Sequence, residues 1–158
     1  MQVQYSEYMK QHYKEYIKLN KNILLGFAAS IIISTVVAQI FSNQANYLNA
    51  TLTLGVDYVV YFSTFGGLFY LDNKKKYVLE SGKTDKSTLK KDLIKIISSL
   101  GIGEIVYTIV RWFLQYYFLT IGYDAYLASL VSQSTSTVIY MVVVNLSVKL
   151  MRLYKNVT

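Results

Sequence analysis

The stretch "GIGEIVYTIVRWFLQYYFLTIG" (101–122) carries an acid, Glu104, and a base, Arg111, inside an otherwise apolar run. A charged side chain in the middle of a bilayer costs about 3 kcal/mol on insertion scales, so such residues usually face protein or water. Thr108 and Gln115 extend the pair, because the four residues follow one another at steps of four, three and four. On a helix they share one face. The sequence therefore predicts a polar stripe that faces away from lipid.

A second acid, Asp57, lies in another apolar run, about two helical turns from one end of that run. Arg111 lies about three turns from the same side. Glu104 is seven residues from Arg111, about 10 Å along a helix, which is too far for direct contact. We therefore predict an ion pair between Asp57 and Arg111 on different helices, with Glu104 nearer the opposite end. Uncharged polar side chains of the other runs add interhelical hydrogen-bonding groups, namely Gln39, Gln133, Asn145 and the run "SQSTST" (132–137).

Three interpretations of these polar residues stay open. They form a structural ion pair with a Ser/Thr packing face, or a polar cavity that binds the anionic head of a lipid or sugar phosphate, or an intramembrane enzyme. In the second, Arg111 contacts the anion and Glu104 a hydroxyl or a proton. The third would need paired acids, a Ser/His couple or a metal, and only the acids are present, so no catalytic residue is predicted. The candidate substrate-binding residues are Arg111, Glu104, Asp57, Gln115 and Asn145.

The composition places these residues in a polytopic membrane protein. Of the 158 residues 53% are hydrophobic and 16% charged, against about a quarter charged in soluble domains. The mean hydropathy is +0.30. The chain has no cysteine, and its one histidine, His12, precedes the first apolar run. Haem, copper and zinc sites therefore lack their usual ligands, and we predict no cofactor and no metal.

Nearly all basic residues lie outside the apolar runs, Arg111 being an exception. They outnumber the acids 16 to 9, which gives a formal charge of +7. Nucleic-acid binders place bases on one groove-facing surface with stacking aromatics. Here the bases flank apolar runs, as they do at the cytoplasmic edge of a membrane. The distribution therefore predicts a lipid bilayer, not a nucleic acid, as partner.

Four apolar runs fit the roughly 20 residues that a helix needs to cross a bilayer. They predict an all-α protein in which two transmembrane hairpins, 23–71 and 94–150, contain the spans 23–41, 51–71, 94–121 and 125–150. The segments 1–22, 72–93 and 151–158 hold nearly all bases, which predicts a multi-pass plasma-membrane protein with those segments in the cytoplasm.

Two further features concern the helices themselves. The start, "YSEYMKQHYKEYIKL", carries tyrosines along one helical stripe, so it forms either an amphipathic helix at the headgroup level or a solvated extension of the first span. In the second span, Gly55, Gly66 and Gly67 predict close approach to a neighbouring helix.

The two hairpins resemble each other, which predicts an internal duplication: Gly26 matches Gly101, and "YLNATL" matches "YLASLV". The layout resembles the GtrA-like family of small four-span membrane proteins over about residues 22–154. The resemblance is carried by Gly26 in "ILLGFAAS", Gly101 in "ISSLGIGE", the entry "AYLASL" and Asn145 in "VVVNLSVKLMRLY". It implies a transport protein, not an enzyme, that translocates a polyprenyl-phosphate-linked sugar for polysaccharide synthesis.

A different class of function also fits the sequence. Sixteen tyrosines provide amphipathic contact area, which is typical of protein interfaces. The chain would then be a non-catalytic accessory subunit of a larger membrane enzyme complex of the respiratory or oxygenase type. In the transport interpretation we expect a homo-oligomer, because four short helices enclose little volume.

Overall fold

The computed structural model describes residues 2–79 and 82–150, without the side chains of 2–16, 99 and 147–150. The described chain is helical apart from short turns and one isolated β-bridge between Val78 and Thr84. The helices are α1 (Gln2–Ile40), α2 (Asn46–Asp72), α3 (Lys74–Tyr77), α4 (Lys86–Ser99), α5 (Gly101–Thr120) and α6 (Ala125–Leu150). The predicted all-α class is confirmed for this part of the chain.

Three segments of these helices are long and apolar enough to cross a membrane: Ile17–Ile40, Asn46–Asp72 and Ala125–Leu146. A fourth crossing results if α4 and α5 are taken together as one bent span. Their outward side chains suit lipid, because isoleucines and valines such as Ile32, Val59 and Val138 are about two-thirds exposed. The fold is therefore that of a membrane-embedded helical protein with three or four candidate spans.

The helices pack as two antiparallel hairpins side by side. α1 packs along α2 and α5 packs along α6, while α1 also contacts α6 and α2 contacts α5. The four long helices, α1, α2, α5 and α6, each contribute one ring to an aromatic layer at the centre. The rings are Phe27, Tyr61, Tyr107 and Tyr140. The Phe27 ring centroid lies 4.5 Å from that of Tyr61 and 5.1 Å from those of Tyr107 and Tyr140. This layer forms the middle of the apolar core.

The third predicted span is divided in the structure. The expected helix 94–121 is replaced by the end of α4 and by α5, whose axes meet at 62° beside Leu100. Leu100 is buried, and its backbone N–H donates to the carbonyls of Ile96 and Ile97. Two glycines, Gly101 and Gly103, follow at once, and glycine weakens helix continuity by about 1 kcal/mol per residue. The predicted linker 72–93 accordingly contains α3 and the first half of α4.

The N-terminal segment continues α1. This helix is unbroken from Gln2 to Ile40, as expected for a helical extension of the first span. The amphipathic stripe predicted within 1–22 falls mostly on side chains that lie outside the described residues, as does the side chain of His12. The predicted C-terminal tail 151–158 also lies outside them.

Close helix approach occurs at two glycines, one in each hairpin. A Cβ on Gly26 would lie 2.9 Å from the ring of Tyr61, and a Cβ on Gly103 would lie 2.6 Å from Val144 Cγ2 and 3.0 Å from the ring of Tyr140. The close contacts expected at Gly55 and Gly67 are not found, because a Cβ there would meet nothing within 4 Å. Those two glycines lie on the exposed face of α2, which sequence spacing alone did not identify.

The two hairpins bury corresponding positions. Tyr140 follows Tyr61 by 79 positions, the offset that matches "YLNATL" with "YLASLV", and every buried residue of α2 has a buried counterpart in α6 at this offset. At an offset of 77, five buried positions of α1 correspond to buried positions at Leu100 and in α5. At this offset Gly26 corresponds to Gly103, whereas the sequence comparison paired it with Gly101. The α1 positions are Ile23, Gly26, Ser30, Ser34 and Ala38. Their counterparts are, in the same order, Leu100, Gly103, Tyr107, Arg111 and Gln115.

Candidate functional site: a buried polar cluster

Arg111 and Asp57 lie together in the core. Arg111 Nε is 3.9 Å from Asp57 Oδ2, and the two side chains are 0% and 1% exposed. The predicted ion pair between α2 and α5 is therefore present. The separation exceeds hydrogen-bond distance, and Arg111 Nε has no hydrogen-bond partner among the described residues.

The other guanidinium nitrogens of Arg111 bind neutral groups. Nη1 donates to Ser132 Oγ at 2.6 Å and to the amide oxygen of Gln115, and Nη2 donates to Ser129 Oγ at 3.0 Å. Ser132 in turn donates to the carbonyl of Ala128 at 2.6 Å. The guanidinium thus joins α5 to α6 through hydroxyls, while its nearest counter-charge is on α2.

Asp57 accepts hydrogen bonds from two other helices. The hydroxyl of Tyr107 donates to Oδ2, and Gln133 Nε2 donates to Oδ1 at 2.5 Å. Gln133 also reaches α1, because its Nε2 donates to Ser30 Oγ at 2.9 Å and its Oε1 accepts from Ser34 Oγ. Both carboxylate oxygens of Asp57 thus accept hydrogen bonds inside the core, with a guanidinium nearby and 1% of the side chain exposed.

Gln115 extends the cluster to the connection between α1 and α2. Its Nε2 donates to Asn49 Oδ1 at 2.9 Å. Asn49 Nδ2 then donates to the carbonyls of Ala38 and Phe41 at 2.8 and 2.9 Å, where α1 ends and its last carbonyls lack intrahelical partners. The buried polar cluster therefore involves all four long helices. We define it as Ser30, Ser34, Asn49, Asp57, Tyr107, Arg111, Gln115, Ser129, Ser132 and Gln133.

Glu104 lies apart from this cluster, one turn before Tyr107. Its Oε1 accepts from the hydroxyl of Tyr140 at 3.0 Å, and its Oε2 is buried without a hydrogen-bond partner among the described residues. Its backbone carbonyl accepts from Thr108 at 2.7 Å and from the Tyr58 hydroxyl at 3.3 Å. As predicted, Glu104 is not in contact with Arg111.

The polar stripe of α5 differs from the prediction in its members. The buried stripe is Gly103, Tyr107, Arg111 and Gln115, at steps of four. Glu104 and Thr108 lie beside it, half-buried, and Thr108 shares a hydrogen bond with Tyr58 of α2. Sequence reasoning missed Tyr107, although its spacing from Arg111 places it on the same face.

The remaining predicted polar residues are divided. Gln133 and Ser132 are in the cluster, and Ser136 is buried next to it, donating to the carbonyl of Ser132 at 2.6 Å. Gln39, by contrast, is exposed at the end of α1 and accepts from the backbone N–H of Tyr126 at 3.3 Å. Asn145 is exposed, twelve residues or about 18 Å along α6 from Gln133. It donates to the carbonyl of Met141 at 2.7 Å. The structure therefore does not bring Asn145 to Arg111, with which it was predicted to bind substrate.

Two shallow grooves follow the α1–α6 boundary, with volumes of about 400 and 450 Å³. Their linings are mainly apolar and include none of Asp57, Glu104 and Arg111. Among the side chains that the structure describes (17–79, 82–98 and 100–146), no three His, Cys, Asp or Glu residues are placed to hold a metal ion. The anion-binding group of the buried polar cluster is the Arg111 guanidinium, which donates to three neutral acceptors and lies beside the Asp57 carboxylate.

Comparison of the chain with protein-family models, with curated proteins and with solved structures gives no match.

Proposed function

We propose that this chain is a small integral membrane transport protein in which Arg111 contacts the phosphate of a polyprenyl-phosphate-linked sugar. The observation that carries the proposal is the state of Arg111: a guanidinium with no exposed surface, whose Nε is unpartnered although a carboxylate lies 3.9 Å away. Fully buried polar atoms in native proteins are nearly always paired. An unpaired donor is a place where a ligand oxygen gains a hydrogen bond without displacing one.

Phosphate suits this group better than a neutral ligand does. A guanidinium presents its donors in a planar fork that matches two phosphate oxygens. Three of the groups that now accept from Arg111 are neutral, namely Gln115, Ser129 and Ser132, so a phosphate would replace weaker partners with a charged one. Because the cluster is closed, binding requires that the helices around Arg111 move apart. In transporters built from repeats, alternating access moves one repeat against the other, and such a motion here would separate Arg111 from Asp57.

Glu104, Asp57 and Gln115 have supporting roles in this proposal. Asp57 holds the guanidinium while no anion is bound, and Gln115 returns to it after release. Glu104, with its unpartnered Oε2, accepts a hydrogen bond from a sugar hydroxyl or takes up a proton. Asn145 stays a proposed contact for a part of the substrate near the other end of α6.

The same proposal includes orientation and origin. The lysine-rich segments lie in the cytoplasm of a plasma-membrane protein, as their distribution favours. The chain arose by duplication of one hairpin, which is supported by the corresponding buried positions of α1 with α5 and of α2 with α6. We further propose a homo-oligomer that encloses the path of the substrate.

Reconstitution tests the transport proposal. Full-length protein in liposomes is given a fluorescent polyprenyl-phosphate sugar, and movement between leaflets is measured by the loss of accessibility to a membrane-impermeant quencher. We expect Arg111→Gln to abolish movement, whereas the control Lys95→Gln, which removes one exposed charge, keeps it. Movement by a correctly folded Arg111→Gln variant at the unaltered rate, or none by the unaltered protein, would overturn the proposal.

A second function is favoured by one observation, the apolar grooves between α1 and α6. One is lined by residues that include Val36, Ile40 and Tyr126, the other by residues that include Leu24 and Leu146. Such a face suits a helix of a larger membrane enzyme complex, of which this chain would be a non-catalytic accessory subunit. Extraction from native membranes in mild detergent distinguishes the two functions. Co-purification at fixed ratio with redox proteins supports the subunit and contradicts transport. A homo-oligomer without such proteins supports transport and contradicts the subunit.

A further inference from the structure

The segment between the two hairpins carries a basic surface that neither proposed function uses. Its lysines are all exposed and belong to α3, α4 and the turn between them. We define the basic surface as Lys74, Lys75, Lys83, Lys86, Lys90, Lys91 and Lys95. We propose that this surface binds the anionic headgroups of the bilayer, so that α4 lies along the membrane and α5 alone makes the third crossing.

The dimensions of α4 and α5 support this placement. α5 has 20 residues and is about 30 Å long, which equals the hydrocarbon thickness of a bilayer. α4 has 14 residues, about 21 Å, which is too short to cross. If α5 crosses near the membrane normal, the 62° bend brings α4 closer to the membrane plane than to the normal.

The two faces of α4 differ in chemistry, because its apolar face packs on the protein and its charged face points outward. On the inner face Leu89, Leu93 and Ile97 are half-buried, and Leu93 packs against the apolar core. Leu93 Cδ1 also lies within 3.9 Å of a Cβ placed on Gly66 of α2. The outer side carries the lysines and Ile94, which is 52% exposed and is the apolar group available to the acyl boundary.

Local bonds hold the basic surface in shape. Asp85 caps α4, accepting from the Thr88 N–H at 3.0 Å and from its hydroxyl at 2.6 Å. Tyr77, with no exposed surface, donates to Asp92 at 2.7 Å, and the same carboxylate pairs with Lys76 at 2.6 Å. The segment before α4 is thereby joined to α4 itself.

These bonds also decide the net charge of the surface. Asp85 accepts from Thr88 and Asp92 pairs with Lys76, and their charges act on Lys91 and Lys95 only at longer range. The seven lysines therefore outnumber these two carboxylates, and the surface keeps a net positive charge. Among the described side chains (17–79, 82–98 and 100–146), none of the seven lies within 4.0 Å of a carboxylate oxygen, the distance at which Lys76 and Lys21 form salt bridges. A dense, unpaired positive surface attracts anionic lipid, and salt weakens the attraction because the lysines are exposed.

The absence of cysteine allows a direct test on the full chain. A fluorophore on Ile94→Cys, in detergent-solubilised protein, is titrated with short-chain phosphatidylglycerol or with phosphatidylcholine of the same chain length. We expect phosphatidylglycerol to bind about tenfold more tightly, and less so as salt is added. Replacing Lys86, Lys90, Lys91 and Lys95 with glutamine should remove the preference, and replacing them with arginine should keep it.

Three results would overturn the proposal. One is equal binding of the two lipids, or a preference unchanged in the glutamine variant. Another is deep quenching of the Ile94→Cys label by lipids brominated near the middle of their chains, since α4 would then be part of a span. The third is displacement of phosphatidylglycerol by single-stranded RNA that binds the unaltered protein more tightly, which would assign the surface to nucleic acid. None of these readouts depends on transport, so the two proposals fail separately.

Discussion

The two hairpins of this protein have corresponding packing but different chemistry. In the first, α1 contributes Ser30 and Ser34 to the interior, where α5 of the second contributes Tyr107 and Arg111. Conversely, the acid Asp57 of α2 corresponds to Ser136 of α6. Each hairpin therefore supplies one charge of the buried pair and small hydroxyls at the matching positions.

This difference shows what the ion pair does to the fold. A charge in the apolar core needs its counter-charge, and here the counter-charge lies on the other hairpin. Neither hairpin contains a counter-charge for its own buried charge. The polar cluster therefore favours association of the two hairpins over separate packing. Apolar contacts such as those of Phe27 shape the core, while the charged pair selects which faces meet.

The largest expected effect comes from breaking the pair on one side. Arg111→Met leaves Asp57 buried with only Tyr107 and Gln133 as partners, and we expect it to lower the free energy of unfolding by about 3–5 kcal/mol. Ser34→Ala, at the corresponding position of the first hairpin, should cost only about 1 kcal/mol. Both are measured as unfolding free energies in bicelles. Equal losses would mean that the hairpins are chemically equivalent.

The double variant sharpens the same test. Replacing both charges, in Asp57→Leu with Arg111→Met, removes the uncompensated charge, so the combined loss should be smaller than the sum of the single losses by about 1–3 kcal/mol. Strict additivity would show that the two side chains do not interact.

The glycines compare the packing of the hairpins. Gly103→Ala places a methyl 2.6 Å from Val144 and should destabilise the fold by about 1–3 kcal/mol. Gly26→Ala meets the Tyr61 ring at 2.9 Å and should cost less, because the overlap is smaller than the one at Gly103. The control Gly55→Ala has free space and should be neutral or slightly stabilising. Thermal unfolding in detergent ranks the three, and a loss at Gly55 as large as that at Gly103 would contradict the described helix faces.

The two matching tyrosines offer a smaller comparison. Tyr140→Phe removes the hydroxyl that donates to Glu104, for an expected cost of about 1 kcal/mol. Tyr61→Phe removes a hydroxyl that accepts from Tyr140, a bond between neutral groups, and should cost less than loss of the bond to the Glu104 carboxyl group. The unfolding free energies of the two variants are compared. A greater loss for Tyr61→Phe would contradict the assignment of the more stabilising hydroxyl to Tyr140.

The smallest effect concerns the connection between the hairpins and depends on pH. The hydrogen bonds from Thr88 hold the pKa of Asp85 below its usual value of 3.8. A lowered pKa contributes stability that is present above the unfolded value and is lost as the pH falls through the folded value. We therefore expect the protection factors of backbone amides at the start of α4, which are corrected for the intrinsic pH dependence of exchange, to fall below about pH 4. Asp85→Asn keeps a capping side chain and should remove this pH dependence, as hydrogen exchange would show.

The sequence alone determined the helical class, the apolar runs and the meeting of Asp57 with Arg111. Hydropathy and periodicity are local properties, and a buried charge requires a partner of opposite sign in whatever fold forms. Because Asp57 was the acid at a similar depth in another run, the partner of Arg111 could be named before any geometry.

Only the tertiary structure decided which faces meet and how the polar atoms pair. Tyr107 and Gln133 contact Asp57, Gly103 and not Gly101 lies at the helix contact, and Asn145 lies far from the cluster. Similarly, the bend beside Leu100 divides an apolar run that hydropathy presents as continuous. These outcomes depend on the relative rotation and offset of packed helices. Many side chains contribute to both, and spacing along one helix does not contain them.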